Sequence, residues 1–218
     1  MTAPVGIFGG TFDPIHLGHL RLAEELGEAL GCNEVRFLPT GTPPHRQPPH
    51  ASATARRDMV ALAIANNPRF TLDEHEVNRS DPCYMVDTLT AIRTEVGAHI
   101  PLVLFLGGDA FMGLTTWHRW TELFDLAHLA VAHRPGFNPQ TWADSLPDPL
   151  RLAFDQRISE RPDDLEITPA GHIYLHAITQ MDIAARRIRA ACHQGASVRY
   201  LVPDSVRAYL NQHDLYRQ

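Results

Sequence analysis

The 218-residue chain is poor in cysteine: Cys32, Cys83 and Cys192 are scattered with no paired spacing. That argues against a disulfide framework or a zinc site and for a reducing compartment. No apolar run approaches the roughly 20 residues of a membrane span. The N-terminus, Met1-Thr2-Ala3-Pro4, has no basic segment followed by a long apolar core, so no signal peptide is expected. Positive charge is in deficit, with 19 Lys and Arg against 25 Asp and Glu and a net charge of −6. General attraction to nucleic acid is therefore not expected, and any polyanion must be held by local positive features. Internal repeats and low-complexity tracts are also missing. What remains is the composition of a soluble globular protein, 44% hydrophobic and 20% charged. The length suits one large α/β domain over 1–218, with a small C-terminal helical part from about 182, and a cytoplasmic enzyme is the expectation.

The chain is organised around Val5-Gly6-Ile7-Phe8-Gly9-Gly10-Thr11-Phe12-Asp13-Pro14-Ile15-His16-Leu17-Gly18-His19-Leu20. Val5 to Phe8 reads as a buried strand. Gly9 and Gly10 form a turn where a ligand can approach the backbone, and an amphipathic helix follows to about Leu30. A strand, a glycine turn and a helix N-terminus together offer N–H groups and a positive dipole end to a phosphate. Thr11 adds a hydroxyl. His16 and His19, three apart in the first helical turn, project to one side.

The composite Gly-Gly-Thr-Phe-Asp-Pro-x-His-x-Gly-His resembles the signature of the His-x-Gly-His nucleotidyltransferases. With the double glycine and Phe-Asp-Pro-Ile-His it looks most like the nicotinate-nucleotide adenylyltransferase family. The resemblance implies a Rossmann-like, doubly wound parallel sheet with flanking helices. It also implies that Gly9, Gly10, Thr11 and Phe12 meet ATP and that His16 and His19 are catalytic.

Further along, Val35 to Pro39 reads as a second strand, parallel to the first through a right-handed crossover. The loop Thr40 to His50, with four prolines, should hang over the binding face. His45 and Arg46 there could meet an anionic substrate, and the family usually carries Pro-Pro-His and a basic residue at this place. Ser52 can cap a helix to about Asn67, ended by Pro68. Phe70 to Val77 gives a strand or extended segment. Asp73, Glu74 and Glu76 are expected on alternating faces of that half-exposed segment rather than as a metal cluster. Tyr84-Met85-Val86-Asp87-Thr88-Leu89 leads into a helix. The resemblance gives Tyr84, Met85 and Asp87 to the substrate, with Met85 where the family usually has Thr.

Leu102 to Leu106 is the most apolar strand and is expected at the sheet centre. It ends in Gly107-Gly108-Asp109, a second glycine turn, where Gly108 and Asp109 would meet ATP and Asp109 a ribose hydroxyl. Trp120 is expected in the core at helical spacing with Leu123 and Phe124. Trp117 resembles the family aromatic that stacks on the pyridine ring, a cation–π contact of about 0.5–2 kcal/mol. Leu129 to Ala132 is another strand, and Arg134 after it could serve the substrate or a neighbouring carboxylate. From Phe137 to Gly171 a helical excursion over the sheet edge or part of a homo-oligomer contact is expected. His172 to Leu175 is the last strand. Near the C-terminus the family usually has hydroxyls facing ATP phosphates. Here Ala184 and Arg186 stand there, so Arg186 and Arg189 on one helix face are the expected triphosphate ligands.

The resemblance implies attack of the nicotinate mononucleotide phosphate on the α-phosphorus of ATP, with pyrophosphate leaving. Such a reaction asks for alignment and charge stabilisation rather than a general base. Mg²⁺ would enter with ATP, since no carboxylate cage is visible. Three other readings stand beside this one. A phosphopantetheine adenylyltransferase would be shorter and lack the Trp117 region and the Tyr200-Leu201-Val202-Pro203-Asp204 ending. A dinucleotide-binding oxidoreductase would need Gly-x-Gly-x-x-Gly and an acidic residue after strand two, where Pro39-Thr40-Gly41 stands instead. A non-catalytic nucleotide sensor could keep the pocket, and only a turnover assay excludes it.

Overall fold

The computed structural model describes residues 2–41, 48–79, 81–133 and 142–217. In chain order the elements are β1 (Val5–Gly10), α1 (Leu17–Ala29), β2 (Glu34–Pro39), α2 (Ala53–Ile64), β3 (Phe70–Leu72), α3 (Met85–Val96), β4 (Leu102–Gly107) and α4 (Gly108–Met112). Then come α5 (Leu123–Leu126), β5 (His128–His133), α6 (Asp148–Arg157), β6 (Ile158–Ser159), α7 (Asp164–Ile167), β7 (Ile173–Ala177), α8 (Ala185–His193) and α9 (Asp204–Gln212). Among the described residues seven strands form one all-parallel sheet in the order β3-β2-β1-β4-β5-β7-β6. No described helix is long and apolar enough to cross a membrane.

Local chemistry sets the element ends. Gly31, at φ +60, takes the left-handed conformation just past α1, where a side chain would be strained. The Ser52 hydroxyl accepts the Ala55 N–H at 3.1 Å and caps α2. Successive residues of β1 serve opposite faces of the sheet. Phe8 joins Phe12, Phe37, Leu26, Met59 and Val206 on one side, and Ile7 joins Leu89, Leu104, Phe111 and Leu129 on the other. With both faces covered, β4 is buried along Leu102–Leu106, and it lies in the middle of the sheet as its sequence implies.

The sheet opens where its connections change direction. β1 stays paired with β2 to its last residue, Gly10 opposite Pro39. It pairs with β4 only through Val5, Gly6 and Ile7. Beyond Ile7 the two strands part, and the crevice between their carboxyl ends is the topological switch point where ligands bind in open parallel sheets.

Several expectations need correcting. Gly9 and Gly10 are the last two residues of β1 rather than a turn, because both remain in register with β2. Gly108 begins α4 directly, so the second glycine pair is a strand-to-helix junction rather than a loop. Asp73 and Glu76 are buried rather than half-exposed, since the chain turns after Leu72 and leaves the strand. Trp120 is half-buried, edge-on to Phe124 at 6.2 Å, rather than a full core residue. The 137–171 stretch includes α6 and α7, and it also adds the edge strand β6, too short to show a sequence period.

Candidate active site

His16 and His19 stand at the entrance of α1, beside the crevice. His16 is the N-cap, and its ring stacks on that of His19 with centroids 3.6 Å apart and planes 19° apart. Gly18 permits this: a Cβ there would come within 3.1 Å of His16 Nδ1. The glycine between the histidines therefore makes room for the first ring. The His16 backbone N–H donates to His19 Nδ1 at 3.2 Å. Neutral His19 must then carry its proton on Nε2, which leaves a ring donor. Its other flank packs against Phe12, edge-on at 5.2 Å. Among the described residues His16 Nδ1 is buried without a hydrogen-bond partner.

Both imidazoles are held neutral. Burial lowers His16 to about 4. Burial, and then the neighbouring His16, lower His19 well below its ordinary value. The unfolded chain takes up the His16 proton near pH 6.5, whereas the folded chain resists it until about 4. The stability contributed by a neutral His16 is thus present above about pH 6.5 and lost as pH falls through that window. In His16→Asn the slope of unfolding free energy against pH should be shallower by about 1.4 kcal/mol per pH unit between those limits. Urea unfolding at pH 5, 6 and 7 measures it, and parallel slopes would contradict a buried neutral imidazole.

The glycines are fixed by close neighbours. A Cβ on Gly10 would lie 2.9 Å from the Phe12 ring. Phe12 itself takes φ +48 and buries its ring, so only its backbone can face a ligand. A Cβ on Gly9 would lie 2.6 Å from Met85 Cε. The Met85 side chain therefore lies against the last turnless stretch of β1. On the other side of the crevice Asp109 is exposed in the first turn of α4.

A buried polar cluster braces the loop from Thr11 to His16, and motif reading missed most of it. The Asp13 carboxylate accepts the backbone N–H groups of His50 at 2.9 Å and Ala51 at 3.1 Å, and the Tyr216 hydroxyl at 2.7 Å. Arg189 Nη1 donates to the Asp13 carbonyl at 2.6 Å and lies 3.7 Å from its carboxylate. Arg56, almost wholly buried, donates to the carbonyls of Thr11 at 2.7 Å, Gly41 at 3.0 Å and Ala51 at 3.3 Å. It thus ties the loop after β1 to the loop after β2. A signal for Arg56 did exist. It falls three and four residues before Met59 and Val60, on the apolar face of α2. Tyr216, in the C-terminal tail, carried none. Nearby, Glu76 accepts the Thr88 hydroxyl at 2.8 Å, and burial raises its pKa.

The start of α3 supplies the facing wall. The Tyr84 ring lies 4.3 Å from that of His118, and Trp117 is half-buried against the α3 side of the core. Asp87 pairs with Arg119 at 3.2 Å on the surface. Arg187 pairs with Asp182 at 2.8 Å, and both it and Arg186 are exposed. His45, Arg46 and Arg134 lie outside the described residues.

A parallel α/β sheet opening at its switch point onto paired imidazoles defines a nucleotidyltransferase fold. Residues 7–191 match the cytidylyltransferase-like family model. The chain is 50% identical over its whole length, and over 99% of the relative, to a probable nicotinate-nucleotide adenylyltransferase of Dechloromonas aromatica. It is 45% identical to one of Aeromonas hydrophila, over 98% of this chain and 97% of that protein. The chain belongs to the nicotinate-nucleotide adenylyltransferase family. In fold it resembles the Plasmodium falciparum nicotinic acid mononucleotide adenylyltransferase solved with APC, with a TM-score of 0.71 over 98% of this chain and 97% of that one, at 16% identity. The same enzyme solved with NaAD matches equally, at 15% identity.

Proposed function

We propose that the chain transfers the adenylyl group of ATP to nicotinate mononucleotide, giving nicotinate adenine dinucleotide and pyrophosphate in NAD biosynthesis. The observation that carries this reading is the stacked, neutral His16–His19 pair at the mouth of the β1/β4 crevice. The attacking group is a phosphate oxygen that is already anionic, so no proton need be removed from it. Charge builds on the α-phosphate and on the departing pyrophosphate. His19 Nε2–H and the α1 N-terminus donate toward that charge. Gly9, Gly10 and the backbone of Thr11 and Phe12 let the phosphates lie close to the main chain. Gly108 and Asp109 face the ribose, and Arg186 and Arg189 face the triphosphate. Tyr84, Met85, Asp87 and Trp117 receive the mononucleotide, joined by His45, Arg46 and Arg134.

Among the described residues no three His, Cys, Asp or Glu side chains gather as a metal cage. Mg²⁺ would arrive on the oxygens of ATP, as part of the substrate. The reading has no need of nucleic acid or a membrane, and a homo-oligomer is compatible with it.

Pyrophosphate release from Mg-ATP with nicotinate mononucleotide, its nicotinamide counterpart and phosphopantetheine tests the reading. The nicotinate form should show the highest kcat/KM, about tenfold or more above the nicotinamide form. An amide turned toward N–H donors leaves some of them unpaired, at about 1–3 kcal/mol. Preference for phosphopantetheine, or equal use of the two pyridine nucleotides, would overturn the assignment, and absence of turnover with all three would make the chain a sensor.

A further inference from the structure

Arg189 reaches the loop ahead of the histidines through a single nitrogen. Nη1 is bound to the Asp13 carbonyl, while among the described residues Nε and Nη2 have no hydrogen-bond partner. A guanidinium anchored by one corner keeps its remaining donors in a fixed plane. The anchor itself is over-determined. Asp13 is buried, and its carboxylate takes two backbone N–H groups from His50 and Ala51 and the Tyr216 hydroxyl. The Asp13 carboxylate also lies close enough to the guanidinium to hold its charge in place. Tyr216 adopts φ +64, an uncommon conformation for a tyrosine, as its hydroxyl meets Asp13. Burial and the adjacent carboxylate push the phenol far above its ordinary value, so it remains a donor at any working pH.

We propose that Asp13, clamped by the tail residue Tyr216, is a positioning residue that presents Arg189 to the triphosphate of ATP. The clamp joins three segments distant in sequence: the loop after β1, the start of α2 and the tail beyond α9. None of these three residues need touch the reacting phosphorus. Asp13 sets the direction of the Arg189 donors, and Tyr216 sets Asp13. The inference rests on the assignment of Arg189 to ATP made above, and the test separates the two.

The test is a double-mutant cycle on steady-state kinetics with Tyr216→Phe, Arg189→Ala and both together. Tyr216→Phe removes one hydroxyl and keeps the ring. It should raise KM for ATP about five- to tenfold, a part of what direct loss of a hydrogen bond to a charged group costs, with KM for nicotinate mononucleotide within about twofold. Arg189→Ala should raise KM for ATP further, and the double variant should be no worse than Arg189→Ala, because the hydroxyl acts through the guanidinium. Multiplying effects in the double variant would mean that Tyr216 only supports the fold and would overturn the proposal. So would wild-type ATP kinetics in Tyr216→Phe when Arg189→Ala is impaired. An Arg189→Ala enzyme with unchanged ATP kinetics would overturn the assignment of Arg189 to ATP, and the proposal with it. Should Tyr216→Phe fail to fold, Asp13→Asn, which keeps the shape but removes the charge facing Arg189, reads the same coupling in the same cycle.

Discussion

His19→Ala is expected to lower kcat by two to three orders of magnitude while the fold survives. A preorganised donor to charge that develops in the transition state is worth about 3–4 kcal/mol. His19 is preorganised on three sides. Its Nδ1 is occupied by the His16 N–H, its face by the His16 ring, and its edge by Phe12. Nothing therefore has to reorganise when the α-phosphate arrives, because the Nε2 proton is already in place. His16→Ala should act similarly, since it removes the stacking partner as well as a second ring donor. Single-turnover adenylyl transfer at saturating ATP measures both, with circular dichroism as the check on folding. Turnover near that of the unaltered enzyme in both variants would remove the pair from the chemistry.

Arg56→Met should cost about 3–5 kcal/mol of stability, the cost of breaking a buried charged network from one side. Methionine fills similar volume but donates nothing. Thr11, Gly41 and Ala51 would lose the donor that now satisfies their carbonyls, and Asp13 and Glu76 would lose a compensating charge. Lysine could not substitute well, because a single ammonium cannot reach three carbonyls in a plane. The chain in fact has no lysine anywhere, all 19 basic residues being arginine. The control is Arg57→Met, one residue along, whose partners Asp58 and Glu74 are solvated, so that the change should cost about 0–1 kcal/mol. Urea unfolding of the two variants compares them, and equal midpoints would show that the buried guanidinium carries no special weight.

Much of the architecture could be read along the chain. Two helices carry end signals in the sequence, Ser52 ahead of α2 and Gly31 after α1. The apolar run of β4 has no alternation because both its faces are covered. The stretch around the paired histidines was legible because its chemistry is local, with two histidines three apart and a glycine between them whose missing Cβ makes room for a ring. Where local reading erred, the cause was pairing with distant segments. Gly9 and Gly10 look like a turn in isolation, but hydrogen bonding to β2 holds them in the strand. Asp73 and Glu76 look solvated because carboxylates usually are, but here they are buried, with Arg36 or Thr88 for company.

The sequence by itself determined the sheet-and-helix alternation, the family, and the residues proposed to face phosphate, because each of those rests on spacings of a few residues. Only the tertiary structure decided the support beneath them. Arg56, Asp13, Arg189 and Tyr216 are separated by up to 203 positions. Their meeting depends on how α2, α8 and the tail pack on the β1 face of the sheet. A hydrogen bond across such a separation leaves no periodic trace, since its geometry is set by the packing of whole elements rather than by the residues beside it.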